Sequence, residues 1–211
     1  MTKTLQRIAL STLAAAALAG GLSACAPLVM GGAAVGAMMA IDRRTSGTQL
    51  EDESIELRAA SRIGDILGSR THVNVTSYNR QVLLTGEVPD EATRQTVDQL
   101  VTRLDNVRAV VNELGVMPPT SLTQRSTDTL VTGKMKAALI DARDLQSNAF
   151  KVVTERGTLY LMGRVTAREA ERATQIARGI GGVSRVVRVF EIISEEELAR
   201  LNAEAGKPAA R

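Results

Sequence analysis

Tryptophan is absent from these 211 residues, which hold only two tyrosines, two phenylalanines, one histidine and one cysteine. Each scarcity closes a class. One cysteine cannot make an internal disulfide. Four aromatics (Tyr78, Phe150, Tyr160, Phe190) leave Val, Ile, Leu and Ala to build any core. The chain carries no nucleophile elbow and no phosphate loop. Asp90/Glu91 read as a helix start and Glu195–Glu197 as a solvated run, not as an acid–base pair, because neither has a second player in fixed geometry. His72 sits beside a strand start without a cysteine partner and is read as structural. Nothing implies an enzyme, a metal or a cofactor. The formal charge is +3, and it falls to +1 once Lys3 and Arg7 are set aside with the leader. That balance is no nucleic-acid signature.

What is present begins at the leader. Residues 1–24 combine a short basic start with an apolar run from Ile8 to Leu22, too short to span a membrane and shaped like a secretory signal. The run ends in Leu22-Ser23-Ala24-Cys25, which resembles the lipobox of bacterial lipoproteins. The resemblance implies cleavage before Cys25 and acylation of its thiol and new amine. Each buried methylene contributes about 0.8 kcal/mol, so two or more chains hold stably where one does not. Ala26, rather than an aspartate, follows the cysteine, which implies retention on the outer membrane, facing the periplasm. Residues 25–50 are read as a lipidated, small-residue-rich and flexible lead-in.

The rest repeats itself. "VNVTSYNRQVLLTGEV" (73–88) and "FKVVTERGTLYLMGRV" (150–165) each alternate, turn, alternate again and close on a glycine with a valine two residues later. Asn79 and Gly157 suit the positive φ of tight hairpin turns. A helix follows each hairpin: Pro89-Asp90 opens one, and the capping box Thr166-x-x-Glu169 opens the other. "NVRAVVNEL" (106–114) and "GVSRVVRVFEII" (182–193) each read as a last strand, and helices over 55–67 and 129–142 precede the hairpins. The expected fold is α+β: two α-β-β-α-β units, 51–116 and 127–193, each with two helices on one face of a three-stranded mixed sheet. Residues 117–126 are expected to be a Pro- and Ser/Thr-rich linker, and 194–211 a polar tail.

A glycine closing the second strand, then a helix, then a "GV-x-x-V" strand resembles the BON domain, here in tandem behind a lipobox. Asn106 replaces the usual glycine of the last motif in the first unit. The resemblance to dual-BON outer-membrane lipoproteins implies binding of anionic phospholipid, chiefly phosphatidylglycerol, through the first helix of the second unit. It also implies collection at the division site, a part in the outer-membrane barrier and a link to the outer-membrane protein assembly machinery.

The residues can be asked the same question independently. Residues 51–116 hold 7 bases and 11 acids, whereas 126–193 hold 11 bases and 7 acids. Anionic headgroups attract basic groups at about 1 kcal/mol each, which favours the second unit. At 100° per residue its first helix puts Val131, Met135, Ala138, Leu139 and Ala142 on one face. Leu130, Gly133, Ala137 and Ile140 fall opposite, edged by Lys134 and Lys136, as an interfacial helix requires. The same stripe could instead pack on the other unit. Leu130 stands where the family carries Trp, and leucine inserts without indole's preference for the interface. A periplasmic chaperone or assembly adaptor, working through sheet edges or the same helix, stays open. A potassium-binding sensor ranks behind it.

Overall fold

An alternating strand, two residues able to take positive φ and a second alternating strand make a β-hairpin, and this chain makes two. The computed structural model describes residues 42–68 and 71–205; the leader, Cys25 and the start of the lead-in lie outside them. In the first unit, helix α1 (Ser46–Leu67) precedes strands β1 (His72–Tyr78) and β2 (Gln81–Val88), which pair antiparallel. Asn79 and Arg80 turn the hairpin at φ 51° and 64°, the two left-handed residues of a type I′ turn. Helix α2 (Glu91–Thr102) is capped by Asp90, which accepts from the Thr93 amide, and leads to β3 (Ala109–Asn112), parallel to β2. The expected single last strand is interrupted: Leu114 turns into the core, and a short β4 (Gly115–Val116) resumes pairing with β2.

The second unit repeats the plan. Helix α3 (Leu122–Asp141) is followed by β5 (Phe150–Glu155) and β6 (Thr158–Thr166), with Arg156 and Gly157 turning at φ 52° and 68°. The anticipated capping box of Thr166 and Glu169 opens α4 (Ala167–Arg178), and β7 (Arg185–Ile193) lies parallel to β6. In each unit the two helices cover one sheet face. Ile55, Ala59 and Ile63 of α1 close over Val82, Leu84 and Val88. Val131, Met135 and Leu139 of α3 close over Leu159, Leu161 and Val165.

Three boundaries differ from expectation, each for a local reason. α1 starts at Ser46, where the Thr45 hydroxyl accepts from the Thr48 amide. α3 starts at Leu122, inside the expected linker, because Ser121 caps it and Ser126, Thr127 and Thr129 donate to carbonyls four residues back. Hydroxyls that usually compete with a helix are here absorbed by it. Part of the expected tail is a further helix, α5 (Glu195–Ala205), whose first turn holds three glutamates, where acids complement the helix dipole.

The sheet faces turned away from the helices meet each other. Tyr78 and Leu83 of the first unit pack with Tyr160, Met162 and Val189 of the second. β2 and β6 are therefore buried on both sides, and their near-continuous apolar runs are the sequence trace of it. A second repeat-wide device joins helix to hairpin. Buried Asp52 of α1 accepts from the Asn79 and Arg80 amides, and buried Asp128 of α3 accepts from those of Arg156 and Gly157. Each carboxylate satisfies both turn amides of its own unit.

Candidate functional site

α3 buries Asp128, Val131, Met135 and Leu139 on one side. All six residues singled out from the sequence lie on the other: Leu130, Gly133, Lys134, Lys136, Ala137 and Ile140 are exposed. Leu130 is 67% and Ile140 69% exposed, high values for side chains of that size. A Cβ added at Gly133 would meet nothing within 4 Å, so no neighbour covers the middle of the strip. The strip does not pack on the first unit, since the sheets make that contact.

Sequence reasoning missed Leu122, 78% exposed. It lies about five turns before Ile140 and so on the same side of the helix. Reading 117–126 as linker hid it; the signal was Ser121 as a capping residue directly before an apolar one.

Charge distinguishes α3 from its counterpart. α3 contains only two acids, of which Asp128 is buried and Asp141 is the last residue. Neither Lys134 nor Lys136 is ion-paired within the described residues. α1 also exposes apolar side chains, Leu50 at 65% and Leu57 at 72%, but among Glu51, Glu53 and Glu56. The two outer helices offer apolar surface with opposite signs around it.

The chain arrives at this body through two successive arginines. Arg43 donates to both carboxylate oxygens of Glu169 at 2.7 and 2.8 Å, to the Arg164 carbonyl and to Gln146, in the loop after α3. Arg44 turns the other way, pairing with Asp52 at 2.8 Å and lying 4.2 Å over the Tyr78 ring. Residues 42–45 thus grip both units, Arg43 through Glu169 of the second and Arg44 through Asp52 of the first. Burial pushes the Glu169 carboxyl up, but the bonds from Arg43 and the Thr166 amide outweigh it and hold it below the usual range.

His72, read from the sequence as structural, has two carboxylates as neighbours. Its Nδ1 lies 3.0 Å from Oε2 of Glu87, and Glu155 of the second unit is beside them. Among the described residues this is the group whose atoms could hold a metal ion. Burial would raise Glu87, yet bonds from Arg156, the Thr120 amide and His72 keep it below the ordinary value. Glu155 is pushed up, first by burial and then by the charge of Glu87.

The BON domain family model matches residues 55–118 and 127–194. The chain is 36% identical over 174 residues to the outer membrane lipoprotein DolP of Haemophilus influenzae, covering 82% of this chain and 90% of that protein. It is 29% identical to the 21 kDa hemolysin of Actinobacillus pleuropneumoniae, covering 72% of this chain and 80% of that one. Over 60 residues it is 37% identical to the osmotically-inducible protein Y of Escherichia coli, spanning 28% of this chain and 30% of that protein.

Proposed function

This chain belongs to the BON family, in the DolP group of outer-membrane lipoproteins, and from that premise we propose a protein with two membrane contacts. The first is an acylated Cys25, which holds it to the outer membrane on the periplasmic side. The second is the outer face of α3, which docks on anionic phospholipid. Leu122, Leu130, Ala137 and Ile140 enter the acyl boundary while Lys134 and Lys136 stay with the phosphates.

The observation that carries the reading is the uncovered apolar strip with unpaired lysines at its edge and no exposed acid before Asp141. Fully burying one leucine or isoleucine contributes about 1.5–3 kcal/mol, and each lysine near an anionic surface about 1 kcal/mol. Three large side chains and two lysines suffice for a reversible second contact once the anchor holds the protein nearby.

Flotation of residues 42–205 with vesicles tests it. Binding is expected with phosphatidylglycerol and not with neutral lipid, and Leu130→Glu should abolish it while leaving the circular dichroism spectrum unchanged. Lys134→Glu with Lys136→Glu should weaken it, and salt should mimic that loss, since exposed charges are screened within about 10 Å at 0.1 M. Binding that survives Leu130→Glu refutes the site; no binding to anionic vesicles refutes the lipid function.

A second reading, an adaptor for outer-membrane protein assembly, has its own observation. β1 is an edge strand, and beside it runs a groove of about 470 Å³ lined by Glu53, Glu56, Leu57, Ala60, Val73 and Val75. Such a groove suits an extended client adding a strand. That reading expects client binding indifferent to phosphatidylglycerol and to Leu130→Glu.

A further inference from the structure

We propose that His72, Glu87 and Glu155 form a site for a divalent transition-metal ion of the zinc class, bridging the two repeats. The fold brings these residues together across a long stretch of sequence. His72 begins β1 and Glu87 lies opposite it on β2, while Glu155 ends β5 of the other repeat. Their ligand atoms all lie within 4.8 Å of one another. The separation of 3.0 Å between His72 Nδ1 and Glu87 Oε2 is already close to the ~3.3 Å expected of two ligands on one tetrahedral zinc ion. Only Glu155 has to swing inward.

One guanidinium, that of Arg156, supplies positive charge here, and it pairs with a single carboxylate. Glu87 is fully buried and Glu155 only 4% exposed. Arg156 pairs with Glu87, bonding Oε1 at 2.7 Å, while Oε2 faces His72 and also accepts from the Thr120 amide at 3.1 Å and hydroxyl at 3.3 Å. Glu155 has no ion pair among the described residues and accepts one hydrogen bond, from the Asn74 amide at 2.9 Å. A nearly buried carboxylate beside a second one, without a cation of its own, is costly unless a cation joins it. That is the observation, independent of the spacing, that points to a ligand.

The donor set selects the ion. An imidazole with two carboxylates suits zinc and its first-row neighbours, whereas calcium and magnesium prefer oxygen alone. Coordination through Nδ1 requires that nitrogen bare, with the ring proton on Nε2. With three protein ligands a fourth position remains for water, and the His72 side chain, 20% exposed, marks the way in. An ion there would tie β1 and β2 of one repeat to β5 of the other, reinforcing the sheet-to-sheet contact.

The test uses the untagged full chain in detergent, freed of metal with a chelator. Calorimetric titration with zinc chloride should give one ion per chain, and zinc should raise the melting temperature, while magnesium and calcium should do neither. His72→Gln and Glu155→Gln should each weaken zinc binding by about 100-fold or more. Glu155→Gln also removes a buried uncompensated charge. Without metal that variant should melt no lower than the parent, which separates a lost ligand from a damaged fold. Absence of zinc binding at about 100-fold excess, or a zinc response equal in both variants, overturns the proposal. A Glu155→Gln chain that gains stability while the parent ignores zinc assigns the site to a proton instead, and overturns it equally.

Discussion

Arg43→Ala removes the cation from the most deeply buried ion pair among the described residues, in which the Arg43 and Glu169 side chains are 3% and 4% exposed. The arginine makes two short bonds to the carboxylate and one of 2.8 Å to the Arg164 carbonyl. After the substitution Glu169 keeps only the Thr166 amide at 3.0 Å. Leaving one charge of such a pair buried and unanswered costs about 3–5 kcal/mol. The two units together, packed as one body, lose about 2–4 °C of melting temperature per kcal/mol, so the drop should be about 6–20 °C at pH 7. The pH dependence sharpens the test. Because the folded Glu169 carboxyl is held below its ordinary value of 4.5, its contribution is present above that value and lost as pH falls through the lower folded one. The gap between parent and variant should therefore be widest near neutrality and shrink below about pH 4.5 as both carboxyls take up protons. Adding Glu169→Gln to the variant should recover part of the loss, since it removes the stranded charge. Melts followed by circular dichroism between pH 3 and 8 measure all of this. A drop under about 2 °C at pH 7, or a gap that does not change with pH, refutes the reasoning.

The two hairpins offer a paired test. Gly86→Val at φ 110° would set its Cβ 1.9 Å from the His72 carbonyl oxygen, and Gly163→Val 2.3 Å from that of Ala149; each should cost at least about 2 kcal/mol, and silent melts would break the repeat alignment. Asp128→Ala strands the Arg156 and Gly157 amides. It should cost about 2–4 kcal/mol and speed hydrogen exchange at those two amides above all, so unchanged exchange there would count against the turn-capping role. Cys25→Ser should abolish metabolic labelling with a clickable fatty acid, and label persisting on the serine variant would sink the lipobox reading.

Much here was local and therefore legible. The hairpins, the capping box at Thr166, the buried face of α3 and its exposed opposite face follow from periods of two and 3.6 residues and from short-range hydrogen bonds, all written within a few consecutive residues. The repeat is a pattern of the same kind. Even the misplaced start of α3 was a local ambiguity, in which hydroxyls that suit a linker also bond back to helix carbonyls. Other features depended on partners distant in sequence. Alternation shows that a strand has two faces, but not that Leu83 of one sheet meets Met162 of the other. Asp52 and Asp128 look like ordinary surface acids until each is seen beneath a pair of turn amides. His72 carries no mark of its place beside Glu87 and Glu155, because Glu155 reaches it only when the two sheets pack back to back. Sequence periodicity specified the elements and the faces they must bury. Tertiary packing decided which buried faces satisfy one another, since apolar burial is non-directional and a hydrophobic face does not encode its partner.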